Sequence, residues 1–313
     1  MVNTRVKTGI VFFLIVAAFL VGSIWLPWLS VVLFALVAVL GALELSHALQ
    51  KKFRPLSFVS IVIGSLTMLA PVVVWVLYKD LRQWHIISRD SLPLDARWPS
   101  DFIWLLAFGF LAFGLAFGVY ALLNVLFKVL SRGPEHMPHA VAESSAAFYI
   151  AFPLTAVVLF AFAVPNGYFW LLFAVLTPMV VDVAAYYSGS LLGKRKMLPK
   201  VSPNKTWVGF FGGVFAGVVF GSAIFMIFFT GSQPMLPLTQ SVVFGGAAGL
   251  LLGLTAQFGD WIASSLKRWC QIKDFSNLLP GHGGIMDRFD SVLYTLPTTL
   301  VLALVFFLLE RVN

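Results

Sequence analysis

Nine runs of apolar residues dominate this chain, at 9–25, 29–48, 57–78, 102–129, 144–164, 167–188, 207–230, 241–263 and 292–309. Crossing a bilayer's hydrocarbon layer takes about 20 residues of helix. Inside that layer each backbone polar group must be satisfied within the protein, which helices do segment by segment. The expected fold is therefore all-α, a polytopic membrane protein of about nine transmembrane helices. Composition agrees, since 60% of the 313 residues are hydrophobic and 11% are charged, against about 25% charged in a soluble domain. An ordinary soluble globule and a disordered chain are both excluded. No repeat of 20–50 residues and no low-complexity segment is present. Arg5 and Lys7 ahead of the first run resemble the start of a signal peptide. The run continues to Trp25 with no small-residue cleavage site before a polar region, so it reads as the first membrane helix.

The few charges are unevenly placed. Lys and Arg total 21 against 13 Asp and Glu, a formal net charge of +8. With nine spans, one side holds Arg5, Lys7, Lys51, Lys52, Arg54, Lys128 and Arg132, and the basic residues of 194–205 and 267–288, sixteen in all. The other side holds Lys79, Arg82, Arg89, Arg97 and Arg311, and the four bases of the 78–101 loop are matched there by Asp80, Asp90, Asp95 and Asp101. The 164–166 and 231–240 loops carry no charge. Positive charge marks the cytoplasmic side, so the expected orientation is N-terminus cytoplasmic and C-terminus external. On this chain the basic excess reads as topology and anionic-lipid contact rather than nucleic-acid binding. Trp25, Trp28, Trp104, Trp170 and Trp207 fall near span ends, as an aromatic belt would.

One cysteine, Cys270, rules out an internal disulfide and a multi-cysteine metal site. The five histidines lack zinc-hydrolase spacing, and His136 and His139 sit in a polar loop as solvated residues. Chemistry concentrates instead in two segments, 182–213 and 258–291. Asp182 and Asp260 lie near the ends of apolar helices, where a carboxylate costs about 2.5–3.5 kcal/mol and so is a functional candidate. Glu44, at the end of the second span, is either another such group or a partner of Lys51 at the interface. Asp260, Ser264, Lys267 and Arg268 follow at helical spacing and share one stripe. Pro280-Gly281-His282-Gly283-Gly284 must be irregular, and its backbone N–H groups suit phosphate oxygens. Asp287 and Asp290, one turn apart, can face one hard cation, or simply favour the positive end of a helix. Upstream, Ser202-Pro203 fits a helix N-cap followed by Pro at the first helical position. Lys194, Arg195, Lys196, Lys200 and Lys205 make a cationic loop for triphosphate or lipid head groups. Gly189 to Arg195 is one residue short of a phosphate-binding P-loop and lacks its Ser/Thr. Tyr186 and Tyr187 read as interfacial aromatics.

These residues resemble a known signature. Ser264-x-Leu266-Lys267-Arg268-x4-Lys273-Asp274-x-Ser276-x2-Leu279-Pro280-x-His282-Gly283-Gly284-Ile285-x-Asp287-Arg288-Phe289-Asp290 is similar to that of the phosphatidate cytidylyltransferase (CDP-diacylglycerol synthase) family. Ser202-Pro203-Asn204-Lys205-Thr206-Trp207-x-Gly209 resembles the family's second block. The resemblance is close over 182–300 and is one of hydropathy alone over the first 140 residues. Val183 departs from it, standing where a small polar residue is expected. The chain thus divides into N-terminal membrane helices, 1–140, and a catalytic membrane half, 141–313.

The resemblance implies transfer of the cytidylyl group of CTP to phosphatidic acid, giving CDP-diacylglycerol and pyrophosphate in phospholipid biosynthesis. It implies Mg²⁺ as cofactor, with room for a second cation. Asp260, Asp287 and Asp290 are the expected metal ligands, with Asp182 a fourth candidate. Lys267, Arg268 and Arg288 would neutralise phosphates and Ser264 would hydrogen-bond one. Ser202, Lys205 and Thr206 would hold CTP or the lipid phosphate, with Gly283 and Gly284 beside them and His282 orienting the glycine turn. Expected partners are CTP, phosphatidic acid and membrane lipids, with no nucleic acid and a homodimer left open. The expected location is the bacterial inner membrane, with the site facing the cytoplasm. Two other readings are a cytidylyltransferase for an ether or isoprenoid lipid phosphate and, remotely, an anion transporter. The transporter reading calls for broken helices in two matching halves, yet the sequence shows no internal repeat.

Overall fold

The structure, a computed structural model, describes residues 2–83, 101–229 and 237–312. Most of the charge-balanced 78–101 loop and of the uncharged 231–240 loop lies outside them. The helices are α1 (Val2–Gly22), α2 (Trp28–Leu49), α3 (Phe58–Ser65), α4 (Ala70–Gln83), α5 (Asp101–Arg132), α6 (Met137–Phe162), α7 (Gly167–Leu192), α8 (Trp207–Phe229), α9 (Leu238–Trp269) and α10 (Met286–Val312). Strands β1 (Lys196–Leu198) and β2 (Ser202–Thr206) form an antiparallel hairpin between α7 and α8. Eight helical segments among the described residues are long and apolar enough to cross a membrane. One of them, Phe58–Lys79, joins α3 and α4 through a 3₁₀ turn. The described apolar stretch of α1, Lys7–Gly22, is shorter. The protein is an all-α polytopic membrane protein, the hairpin being its small departure from all-helix.

That hairpin corrects one expectation. Ser202-Pro203 does not open a helix, because Ser202 pairs with Leu198 and Thr206 with Lys196. The helix starts four residues after Pro203, and Thr206 is its cap: the Thr206 hydroxyl accepts the Gly209 N–H at 3.1 Å. Capping chemistry is present in the sequence at both sites, and strand pairing decides between them.

The chain forms two compact units. The first comprises Met1–Tyr168 and Phe275–Met286. In it α2 packs on α3 and α6, burying Phe34, Ile61, Ile150 and Leu154. Its polar centre is the Lys128–Glu143 ion pair, with both side chains at most 4% exposed. The Ser57 N–H also donates to Glu143 Oε1. Asn124 links the same helices, accepting from Ser60 at 2.9 Å and donating to the Ala140 carbonyl at 3.1 Å. A buried ion pair persists only when such extra bonds offset desolvation. The Phe275–Met286 segment is held here by Glu44 of α2. The carboxylate accepts from Ser276 Oγ (2.6 Å), Ile285 N (2.9 Å) and Met286 N (2.9 Å). Of the two readings open to Glu44, the structure does not take the pair with Lys51 at the interface, since the residue is 5% exposed and bonded to this loop.

The second unit comprises Phe169–Asp274 and Asp287–Asn313. Helices α8 and α9 make the most extensive helix contact among the described residues. A Cβ on Gly249 would collide with the Gly217 carbonyl oxygen, so the two backbones touch as small residues allow in lipid. Trp170, Phe225 and Phe306 meet edge-to-face at 5.5–5.7 Å between ring centres and are fully buried. Pro178 interrupts α7 and cannot donate to the Ala174 carbonyl four residues earlier. Thr295 of α10 supplies the missing donor at 2.7 Å. Thr295→Val keeps the shape and removes the donor, and should lower stability by about 0.6–1.7 kcal/mol, whereas Thr295→Ser should stay near wild type. Thermal unfolding in detergent reads the difference, and an unchanged midpoint for Thr295→Val would show that the Ala174 carbonyl needs no partner.

Candidate active site

The second unit gathers most of the residues singled out by sequence. Asp182 comes from the second half of α7, Lys205 and Thr206 from the end of β2, and Asp260 from α9. All four line one cavity of about 500 Å³, with Gln257, Asn204 and Tyr186. Helix α9 has 32 residues, about 48 Å at 1.5 Å per residue. A hydrocarbon core is about 30 Å thick, so α9 is longer than one crossing requires.

Along α9 the stripe expected from spacing is real, but its members have different partners. Lys205 Nζ forms an ion pair with Asp260 Oδ2 and lies 5.8 Å above the Trp261 ring, a cation–π contact that helps fix the ammonium. The Ser264 hydroxyl donates to Asp260 Oδ1 at 3.2 Å. Lys267 donates to Asp287 Oδ1 at 2.7 Å and stands 3.9 Å from Asp290 Oδ2. Side chains of this cluster are only 4–11% exposed, so these are ion pairs shielded from water and not surface pairs of little worth. Arg268 is the exception: its guanidinium is exposed and bonds the carbonyls of Val201 and Ile272, bracing the β1–β2 turn. Arg288 is exposed, and Ser202 lies on β2 outside the cavity lining.

The two clusters communicate electrostatically. Asp182 and Asp290 each lie within the field of Asp260, and Asp182 also within that of Lys205 and Arg288. No three His, Cys, Asp or Glu side chains among the described residues form a ready cage for an ion. The donor set nevertheless suits a hard cation: all are carboxylate oxygens, and the Lys267 ammonium already bridges two of them. Mg²⁺ takes one or two carboxylates, keeps several waters and completes its shell with substrate phosphates, so it needs no closed protein cage.

His282, Gly283 and Gly284 belong to the first unit. Their segment is irregular, as Gly and Pro required: Gly281 and Gly283 have φ of +80° and +79°. Its N–H groups are less available than the sequence suggested. Those of Leu279 and His282 close the turn internally, and those of Ile285 and Met286 go to Glu44. His282 packs its ring against Gly9 of α1, and its buried Nδ1 has no hydrogen-bond partner among the described residues.

Comparison with known proteins bears on this arrangement. The description "cytidylyltransferase family" fits residues 3–306, nearly the whole chain. The chain belongs to the cytidylyltransferase family. Similar curated proteins include one named phosphatidate cytidylyltransferase from Staphylococcus aureus (strain COL), 39% identical over 132 residues, which is 42% of this chain and 48% of the relative. Those of that name from Staphylococcus haemolyticus (39% over 132 residues, again 42% and 48%) and Bacillus subtilis (38% over 131 residues, 42% and 46%) are alike. The chain thus spans about half the length of the curated relatives it matches.

In this family member the sequence leaves Glu44 undecided, gives Asn204 a place in the second block without a role, and does not single out Gln257. Gln257 is 4% exposed, lines the cavity and donates to the Phe210 carbonyl at 2.9 Å. Its spacing, three residues before Asp260, was a usable signal. Thr206 combines cavity lining with the cap of α8. Removing the cap by Thr206→Val should cost about 0.5–2 kcal/mol, and Thr206→Ser should restore it. Equal thermal midpoints for the two variants would discount the hydroxyl as a cap.

Proposed function

We propose that this protein is a phosphatidate cytidylyltransferase that makes CDP-diacylglycerol and pyrophosphate from CTP and phosphatidic acid. The observation that carries the reading is the set Lys205–Asp260 and Lys267–Asp287–Asp290, joined in one compact unit with the cavity. Family membership and the names of the relatives support it. A phosphate oxygen of the lipid attacks the α-phosphorus of CTP; a P–O bond forms there as the bond to the β-phosphate breaks, and pyrophosphate leaves with the electron pair. A phosphomonoester loses its second proton near pH 6, so the nucleophile arises without a dedicated base or a covalent enzyme intermediate.

The task left to the protein is charge neutralisation and in-line positioning. Lys205 and Lys267, now paired to carboxylates, would turn toward phosphate oxygens when substrate enters, with Arg288 assisting. Ser264 would orient Asp260. Asp260, Asp287 and Asp290 would hold Mg²⁺, joined by Asp182, whose carboxylate is exposed to the cavity. When bound, the ion would supply Lewis-acid neutralisation of the triphosphate. The sixteen basic residues on one side support a cytoplasmic N-terminus and a site at the cytoplasmic face of a bacterial inner membrane. There CTP arrives from water and the lipid from the leaflet.

Purified full-length protein in detergent, given labelled CTP, phosphatidic acid and Mg²⁺, should form the liponucleotide and release pyrophosphate in equal amounts. Folded protein without turnover would sink the reading. Replacing phosphatidic acid by an isoprenoid or ether lipid phosphate should lower the rate, and a preference for either would reassign the substrate. Asp287→Asn should reduce turnover by about 100-fold or more with membrane insertion intact, and a near-normal rate would remove Asp287 from the site.

A further inference from the structure

Helix α10 begins without a cap of its own. The residues before Met286 are Gly283, Gly284 and Ile285, none with a side-chain acceptor for the free N–H groups of a first turn. The acceptor comes from α2, 241 residues away in sequence. Glu44 takes the Ile285 N–H on one carboxylate oxygen and the Met286 N–H on the other. A negative charge there also complements the helix dipole. The same carboxylate receives Ser276 Oγ, whose oxygen in turn accepts the Leu278 N–H at 3.1 Å. One side chain therefore ties both ends of the 276–286 segment.

The fit is close. Any Cβ on Gly284 would collide with the Glu44 carboxylate, and a Cβ on Gly41, one turn earlier on α2, would sit 2.8 Å from Met286 Sδ. Immediately after this anchored stretch come Asp287 and Asp290. A displaced first turn of α10 would move both.

We infer that Glu44 is a positioning residue: by capping α10 from α2 it fixes the backbone that displays Asp287 and Asp290. It touches no reacting atom. The inference rests on the proposed role of those aspartates in cation binding, and the experiment separates the two ideas.

Wild type, Glu44→Ala, Glu44→Gln, Gly284→Ala and the Glu44→Ala/Gly284→Ala double variant are placed in lipid nanodiscs. Three quantities are read: Mn²⁺ affinity by electron paramagnetic resonance, amide exchange by peptide, and turnover. Glu44→Ala should weaken Mn²⁺ binding about 10- to 100-fold, the usual effect of losing an outer support of a metal site, with turnover falling alongside. Exchange over 276–290 should accelerate while α8 and α9 keep wild-type protection. Glu44→Gln, which retains one acceptor oxygen, should fall between. Gly284→Ala should resemble Glu44→Ala, and the double variant should be within about twofold of either single one, because both break the same contact.

Unchanged Mn²⁺ affinity and turnover in Glu44→Ala overturn the inference, as do unchanged exchange over 276–290 or fold-losses that multiply in the double variant. A purely structural Glu44 would reduce the folded yield yet leave Mn²⁺ affinity per folded molecule as in wild type. If Glu44→Ala does not fold, Glu44→Gln and Gly284→Ala carry the same readouts. A wild-type protein that binds no Mn²⁺ would instead overturn the cation role of Asp287 and Asp290, and the clamp would then stand or fall on exchange over 276–290.

Discussion

A carboxylate among apolar helices has to find a partner, and most of what is specific about this protein follows from how its acids do so. Glu143 meets Lys128, Asp260 meets Lys205, and Lys267 serves both Asp287 and Asp290. Glu44 has no cation among the described residues and uses two backbone N–H groups and a hydroxyl instead. Each arrangement joins separate elements of the chain, so satisfying the charge and fixing the helices are one event. Apolar packing alone could not do this in a bilayer, where lipid tails compete equally for a leucine surface.

The same constraint shapes the site. At the site a lysine neutralises the carboxylate of each pair, and on the proposed function anionic substrate would compete for that lysine while freeing the acid for a cation. On that proposal a group that stabilises the resting protein would also be one that the reaction uses. The β1–β2 hairpin contributes Lys205 from a short, braced element, with Arg268 holding its turn and Thr206 holding its junction with α8. Charge that would be mobile on a free loop is thus placed against Asp260.

The architecture was legible in the sequence because hydropathy is a one-dimensional property: a run long enough to span is visible without knowing its neighbours. The clustering of candidates was legible too, since Asp260, Ser264 and Lys267 lie on one helix. Partner choice was not. Arg268 shares that stripe yet reaches the hairpin, and Lys205 lies 55 residues from Asp260. Ser202-Pro203 carried a local cap signal that pairing with β1 overrode. Glu44 was ambiguous because both of its backbone donors lie beyond a glycine-rich segment more than 240 residues later.

That separation has a consequence during synthesis. Glu44 is made with the second span, while Ile285 emerges 241 residues later. At translation rates of about 5–20 residues per second, the wait is on the order of 12–50 s. Through that interval the carboxylate must be sheltered by water, lipid head groups or the insertion machinery, while six further long apolar segments among the described residues are made. The start of α10 therefore satisfies an acid made with an early span, and a chain truncated before residue 276 would carry that carboxylate without any of these three donors.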